Sequence, residues 1–337
     1  MTREKPDRGS TVTDWHAHWL PPSFLDHVQR RRTPPLLTLD DGSKQLLGAN
    51  GARHKIGEGL VDIEDRLRSL DRLGIDRQVL SLPGLFGVDT ATSEDPQSLV
   101  STFNEGLSRL VEQRGDRFDG LASLPLARLD DAPAALERAL TELGLVGAIL
   151  PADGFVDKAT ARLFEDVFRV ADKARAHIFI HPGPLPSVVP PQIAHPDEAT
   201  ALRKGVLDIQ NGLTAAALTF EFTDFLDAYP AVTAHLANLG GNLAFLTERI
   251  EHGAARYNLT ERHVDGSLKR IYVDTASFGP RAIEFATNTF GEDRVLFGSD
   301  EPWSDFWGEY YKYEGLGISE ELKNKVFWEN AEKLYGV

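Results

Sequence analysis

The sequence predicts a (β/α)8 TIM barrel, and three observations carry that prediction. Eight short runs rich in Val, Ile and Leu alternate with longer amphipathic stretches, as βαβ units around a parallel sheet do. The 337 residues suit one closed barrel, which needs about 250 residues plus insertions. Three of the runs end in side chains able to bind a metal, at the strand end where such barrels keep their active sites.

The first run spans residues 11–19 and holds Asp14, Trp15, His16, Ala17 and His18. Alternate residues of a strand point the same way, so both imidazoles enter the barrel together. Residues 29–59 then break the rhythm. RRRTPP is followed by LLTLDDGSKQLL, whose DDGS reads as a turn between two short strands. A small insertion after strand one is therefore expected over the barrel mouth. Its Arg53-His54-Lys55 could hold a carboxylate, although a solvated charge run is the plainer reading.

The second run, residues 78–83, follows a helical pattern over 62–73. Asp62 stands at its start, with Glu64 and Asp65 in the first turn, where acidic side chains complement the helix dipole. Gly74 follows it and Gly144 follows the pattern at 132–143, both suited to a left-handed C-terminal cap. The third and fourth runs are 118–125 and 145–151; helical stretches at 99–114 and 159–173 flank them. The fifth run, 176–182, closes on Ile178-Phe179-Ile180-His181-Pro182. A Pro-rich loop over 183–199, containing His195, comes next. After a helical pattern at 215–228 the sixth run is 231–238, the seventh 271–276 and the eighth 295–300, which ends in Asp300. Trp303 and Phe306 follow and could line an aromatic pocket. The polar stretch 1–10 reads as a flexible tail, and residues 11–337 as a single domain.

Composition excludes several function classes. Thirty-six Lys and Arg against 51 Asp and Glu leave a formal charge of -15, which disfavours nucleic acid and anionic membranes as partners. Cysteine is absent, so any transition-metal site must use His and carboxylates. A reducing cytoplasm is compatible with that. No apolar stretch approaches the ~18 residues of a membrane span, and the N-terminus lacks the apolar core of a secretory signal. The glycines around Gly240 do not form a dinucleotide fingerprint.

Taken singly, each metal-binding signal has a bland counterpart. A His pair can sit in a loop, a strand-end His can be a satisfied core residue, and a strand-end Asp is often a cap. Taken together, His16, His18, His181 and Asp300 stand at the ends of strands one, five and eight. Three nitrogens and a carboxylate make a donor set for one divalent metal, zinc first and manganese as the alternative.

From about residue 11 to the end the chain resembles the α-amino-β-carboxymuconate-ε-semialdehyde decarboxylase branch of the amidohydrolase superfamily. The resemblance rests on His16-Ala17-His18, "LGIDRQVLS" at 73–81, "RFDGLASLPL" at 117–126 and "IFIHP" at 178–182. It continues in "LGGNLAFLTERIEHG" at 239–253, "RVLFGSDEPW" at 294–303 and "NAEKLYG" at 330–336. It implies that His16, His18, His181 and Asp300 hold a single metal. It further implies non-oxidative decarboxylation of a small aromatic or unsaturated carboxylic acid, in a homodimer or larger homo-oligomer. Arg249 falls where the family has an arginine that supports the substrate carboxylate, sometimes across a subunit interface; a solvated helix arginine is the alternative.

One departure stands out. The family places a catalytic His at the end of strand six, before a Gly-rich turn, and the ungapped match puts Asn238 there. His235 lies three residues earlier, on the opposite side of a regular strand. Asn cannot act as a base near neutral pH but can hold a substrate oxygen. The expectation is that Asn238 faces the metal cavity, that His235 points to the helices or sits low in the barrel, and that Asp300 carries the proton. Arg249 and Trp303 are the expected substrate contacts. The rival readings are a hydrolase of a C–C, ester, lactone or amide bond at the same metal, and a metal-binding barrel without catalysis.

Overall fold

The computed structural model describes residues 11–49, 51–91, 96–186, 200–257, 268–276, 279–303 and 319–335. The N-terminal stretch 1–10, His195 and Phe306 lie outside them. Eight parallel strands form one sheet: β1 (Thr13–His18), β5 (Arg77–Ser81), β6 (Phe118–Ala122), β7 (Gly147–Pro151), β8 (His177–His181), β9 (Thr233–Leu236), β10 (Ile271–Asp274) and β11 (Val295–Leu296). The last strand returns to the first. Trp15 N–H donates to Phe297 O at 2.9 Å, His18 N–H to Glu301 O at 2.8 Å, and Asp300 N–H to His16 O at 2.7 Å. The (β/α)8 barrel is thereby closed.

The strands fall on the eight apolar runs, each trimmed where the chain turns away. The eighth is left shortest, at two residues, and the chain beyond it reaches a left-handed backbone at Asp300. The insertion is a three-stranded antiparallel sheet rather than a two-stranded hairpin. β2 (Leu36–Asp40) and β3 (Ser43–Leu47) meet at the expected turn, and β4 (Arg53–Lys55) adds a third strand, with His54 opposite Leu46. A three-residue strand of basic residues, with no apolar side chain, gives no periodicity in sequence, which is why it reads as a solvated run.

Helix Ile63–Leu73 begins where Asp62 Oδ1 accepts from Asp65 N–H at 2.9 Å, a capping bond that satisfies one orphan donor. It ends on Gly74, whose φ of 70° is the left-handed C-cap that glycine takes without strain. Helix Ile209–Phe222 continues without a break from the helical residues Thr200–Leu202 and Arg203–Asp208, so the helical run begins well before the expected 215. Its Leu213, Ala216, Ala217 and Phe220 are buried, at the spacing of one helical face. Phe220 joins Phe155, Phe164, Phe168 and Phe225 in an aromatic cluster between the helical layer and β7–β8. No helix among the described residues is long and apolar enough to cross a membrane.

Candidate metal centre and active-site pocket

His16 and His18 stand on β1, His181 at the end of β8 and Asp300 just beyond β11. One donor atom from each lies within 4.8 Å of all the others. His16 Nε2 and His18 Nε2 are 3.3 and 3.4 Å from Asp300 Oδ1 and 3.3 Å from each other. The local backbone is shaped for this convergence. The β1–β5 register shifts between Asp14 and Ala17, a bulge that re-aims strand side chains. Trp15 consequently stacks on His177 inside the barrel, with ring centroids 5.0 Å apart. Asp300 has φ 62°, a conformation costly for a non-glycine residue and common at functional sites. At Gly298 a Cβ would lie 2.8 Å from the Cβ atoms of both His16 and Asp274, so only glycine lets the three chain segments close on one point.

Every ring is anchored through its other nitrogen. His16 Nδ1 donates to Asp274 Oδ2 at 2.8 Å, Ser81 Oγ lies 3.0 Å from His18 Nδ1, and His181 Nδ1 donates to Pro182 O at 2.8 Å. That leaves the Nε2 atoms for a common ligand, the arrangement by which outer partners orient metal-binding histidines. Asp274 ends β10 and is fully buried. Its Oδ1 accepts from Asn238 N–H at 2.9 Å and Ala276 N–H at 3.0 Å. Asp274 escaped the sequence reading, although Ile271-Tyr272-Val273-Asp274 carries the signal that exposed Asp300: an apolar strand closing on a carboxylate. Beneath lies a second buried network. Asp14 accepts from Ser299 Oγ at 2.6 Å, Ser299 N–H at 2.9 Å and Gln78 Nε2 at 2.7 Å. Arg66 donates to Gln78 Oε1 at 2.8 Å and to His18 O at 2.7 Å. These contacts tie β1 to β5, β11 and the helix Ile63–Leu73.

A cavity of about 530 Å³ opens above the centre, lined by His18, His181, Asp300, Asn238, His54 and Trp303 among others. Asn238 follows β9 in a left-handed turn (φ 54°), and its Oδ1 is buried with no hydrogen-bond partner among the described residues. His235 is not among the lining residues. It points into the barrel one layer lower, 3.1 Å from His177 Nε2 through Nδ1, with Nε2 in a close but poorly aligned contact with Asp274 Oδ2 at 3.1 Å. Strand alternation does not separate the two because β9 ends at Leu236, before Asn238. Trp303 sits 5.3 Å from the His18 ring and 5.8 Å from Phe86. His54 stacks on Phe86 at 4.4 Å, and its buried Nε2 likewise has no partner among the described residues. The insertion thus supplies a pocket side chain that its sequence context hid. Arg249 is exposed on helix Leu243–Arg256 and does not line the cavity.

The electrostatics fit a cation. Burial alone would push the His16 imidazolium down, but the Asp274 and Asp300 carboxylates beside it raise it to about 10. Burial holds His18 and His181 low, hence neutral and able to donate a lone pair. Asp300 and Asp274 are held below the usual carboxylate range because the histidines outweigh the burial that would raise them. A buried Asp274 and a mostly buried Asp300 outweigh the single charge on His16, with His18 and His181 neutral, and added positive charge completes the site.

The model of the amidohydrolase family matches residues 13–337. Among curated proteins, the chain is 28% identical to gamma-resorcylate decarboxylase of Polaromonas sp. (strain JS666 / ATCC BAA-500), over 82% of this chain and 88% of that one. It is 26% identical to 2-amino-3-carboxymuconate-6-semialdehyde decarboxylase of Dictyostelium discoideum, over 87% and 82%. Among solved structures, 5-carboxyvanillate decarboxylase from Novosphingobium aromaticivorans, complexed with manganese and 4-hydroxy-3-methoxy-5-nitrobenzoic acid, superposes with a TM-score of 0.73 at 20% identity, covering 100% and 99% of the two chains. With its closed barrel, its strand-end donor cluster and a family match over nearly its whole length, the chain belongs to the amidohydrolase family and is an enzyme of that superfamily.

Proposed function

We propose that this enzyme is a divalent-metal-dependent carboxy-lyase that removes carbon dioxide from a small aromatic or unsaturated carboxylic acid. The observation that carries the reading is the convergence of His16, His18, His181 and Asp300 beneath a cavity of about 530 Å³, in a chain whose curated relatives are decarboxylases. The donor set fits the group: three anchored imidazoles and one carboxylate, with no thiolate, suit zinc, and manganese is the alternative. When bound, the metal supplies Lewis-acid charge for the substrate carboxylate and a neighbouring oxygen.

The remaining roles belong to the chain. Asp300, whose side chain is 14% exposed and which is ionised at rest, takes a proton from a substrate hydroxyl or from solvent in the cavity and passes it to the ring carbon that bears the carboxylate. The bond between that carbon and the carboxylate then breaks, carbon dioxide leaves, and the electron pair restores the unsaturated system. Asn238 orients a substrate oxygen through its amide and moves no proton. Trp303 and Phe86 flank an aromatic ring, and His54 reaches it from the insertion. Arg249 meets a substrate only if a second copy brings it to the neighbouring cavity, which makes a homodimer or larger homo-oligomer part of this reading, as is a cytoplasmic setting.

The test is a screen of hydroxybenzoates and carboxymuconate-like acids with the metal-loaded enzyme, measuring carbon dioxide directly. Stoichiometric carbon dioxide with loss of the carboxyl group is expected. Labelled water oxygen entering an acid product without carbon dioxide would move the enzyme to hydrolysis.

A further inference from the structure

The opposite end of the barrel carries a cavity that the proposed reaction does not use. It measures about 330 Å³ and lies where β8, β9, β10 and β11 begin. Five cationic side chains line it: Arg175, Lys269, Arg270, Arg294 and Lys333. They come from four separated stretches of sequence, and no acidic side chain is in the lining. The cluster stands against a net charge of -15, whose overall field repels anions.

Some of this charge is already balanced. Arg270 pairs with Asp227 at 2.7 Å, and Lys333 lies 4.0 Å from Asp293. Arg175 and Arg294 have no ion pair with any described residue. Arg294 is held in place by the Tyr272 ring, 4.8 Å from its guanidinium carbon, so its orientation is fixed before a ligand arrives. Arg175 occupies the C-terminal cap of helix Glu165–Ala174 in a left-handed conformation, φ 55°. That position favours glycine, so an arginine is kept there against a steric cost, and its side chain lies in the cavity wall. The hydroxyls of Thr233 and Tyr272 belong to lining residues and have no hydrogen bond with any described residue. Leu226, Pro230 and Val232 complete a wall that is predominantly polar.

We propose that this cavity is a binding site for a small phosphate-bearing anion, distinct from the metal centre. Guanidinium forks match phosphate oxygens, and the volume admits a small ester and no macromolecule. The two centres stand at opposite ends of strands of about five residues, roughly 16 Å apart along the barrel. Strands β8 and β10 run from this cavity to His181 and Asp274, and the segment after β11 reaches Asp300.

The experiment is calorimetric titration of the metal-loaded, full-length protein with inorganic phosphate and with phenyl phosphate, at constant ionic strength set by chloride. Saturable binding with a Kd of about 1 mM or tighter is expected for at least one probe. Tighter binding of phenyl phosphate identifies an ester site, and equal binding identifies a site for free phosphate. Arg175→Gln and Arg294→Gln are each expected to weaken binding about tenfold while metal content and turnover stay as in the parent. If Arg294→Gln does not fold, Arg175→Gln with the exposed Lys333→Gln carries the test. Binding that is absent for both probes, unchanged in these variants, or displaced by an aromatic carboxylate at the metal pocket would overturn the proposal.

Discussion

At the scale of single residues, Asp274 shows how much of a metal site lies behind its ligands. It does not line the active-site cavity, yet it fixes the His16 tautomer and holds the Asn238 backbone. Asp274→Asn keeps the shape and removes the charge. Outer partners of this kind are worth about 10–100-fold in metal affinity, so the variant is expected to bind zinc or manganese that much more weakly while the four donors remain. Equilibrium dialysis against a competing chelator measures it, and unchanged affinity would remove Asp274 from the site. The same scale decides Asn238. Its Oδ1 is buried in the cavity wall without a partner, whereas His235 is committed to the layer below. Asn238→Ala should therefore lower turnover about tenfold or more, as loss of one transition-state hydrogen bond does. His235→Gln should leave the substrate terms nearly intact and act through Asp274 on metal affinity. Steady-state kinetics at saturating metal separates the two, and the reverse order would return the proton-transfer role to His235. The His16–His18 pair was legible in sequence because strand alternation is local. Asp274 carried the same strand-end signal as Asp300, but its role as the anchor of His16 was not legible, because it depends on a partner 258 positions away.

At the scale of elements, the eight barrel strands were readable because each is a buried apolar run bounded by turns. The third strand of the insertion was not, since Arg53–Lys55 has too little apolar character to show a period. His54 was accordingly undervalued. Its pKa is lowered by burial, so near neutral pH it is an uncharged ring on Phe86 with a free nitrogen in the pocket. His54→Phe is expected to keep the stack and raise KM several-fold with little change in kcat, because only a ground-state contact is lost. A fall in kcat at constant KM would instead give His54 a role in the chemical step. The segment after β5 carries a different liability. Asp89 is buried with only backbone contacts, and burial pushes it up to about 7. An acid whose folded pKa lies above its unfolded value binds more protons when folded. Stability is then lost as pH rises from about 4 to about 7, and the loss is constant above that. Asp89→Asn should remove this dependence, with no gain near pH 4 and a gain above pH 7 of at most roughly 4 kcal/mol. Urea unfolding of both proteins at the two pH values checks it, and parallel pH profiles would show Asp89 is solvated instead.

For the whole molecule, the question is what holds the barrel mouth together when no metal is bound. Asp300 meets three imidazoles at the centre and Asp274 lies behind His16, and these two like charges on either side of one ring would repel. The protein carries its own substitute: His16, raised to about 10 by those carboxylates, keeps a proton where the cation would sit. The metal-free barrel should therefore stay folded, unlike small domains whose folding depends on the metal. A His whose folded pKa lies above its unfolded value contributes stability that is fully present below about pH 6.5 and lost as pH rises toward 10. Chelator-treated protein should thus retain its far-ultraviolet dichroism and melt cooperatively. Its Tm should lie below that of the metal-loaded form, by the linkage that a ligand specific for the folded state imposes, and the gap should widen from pH 7 to pH 10. Metal entry must expel the His16 proton, so affinity should fall as pH falls, with about one proton released per metal. Calorimetry in two buffers of different ionisation enthalpy counts that proton. Metal binding with no proton release at pH 7 would mean that His16 is neutral in the metal-free state and that the mouth is held by packing alone.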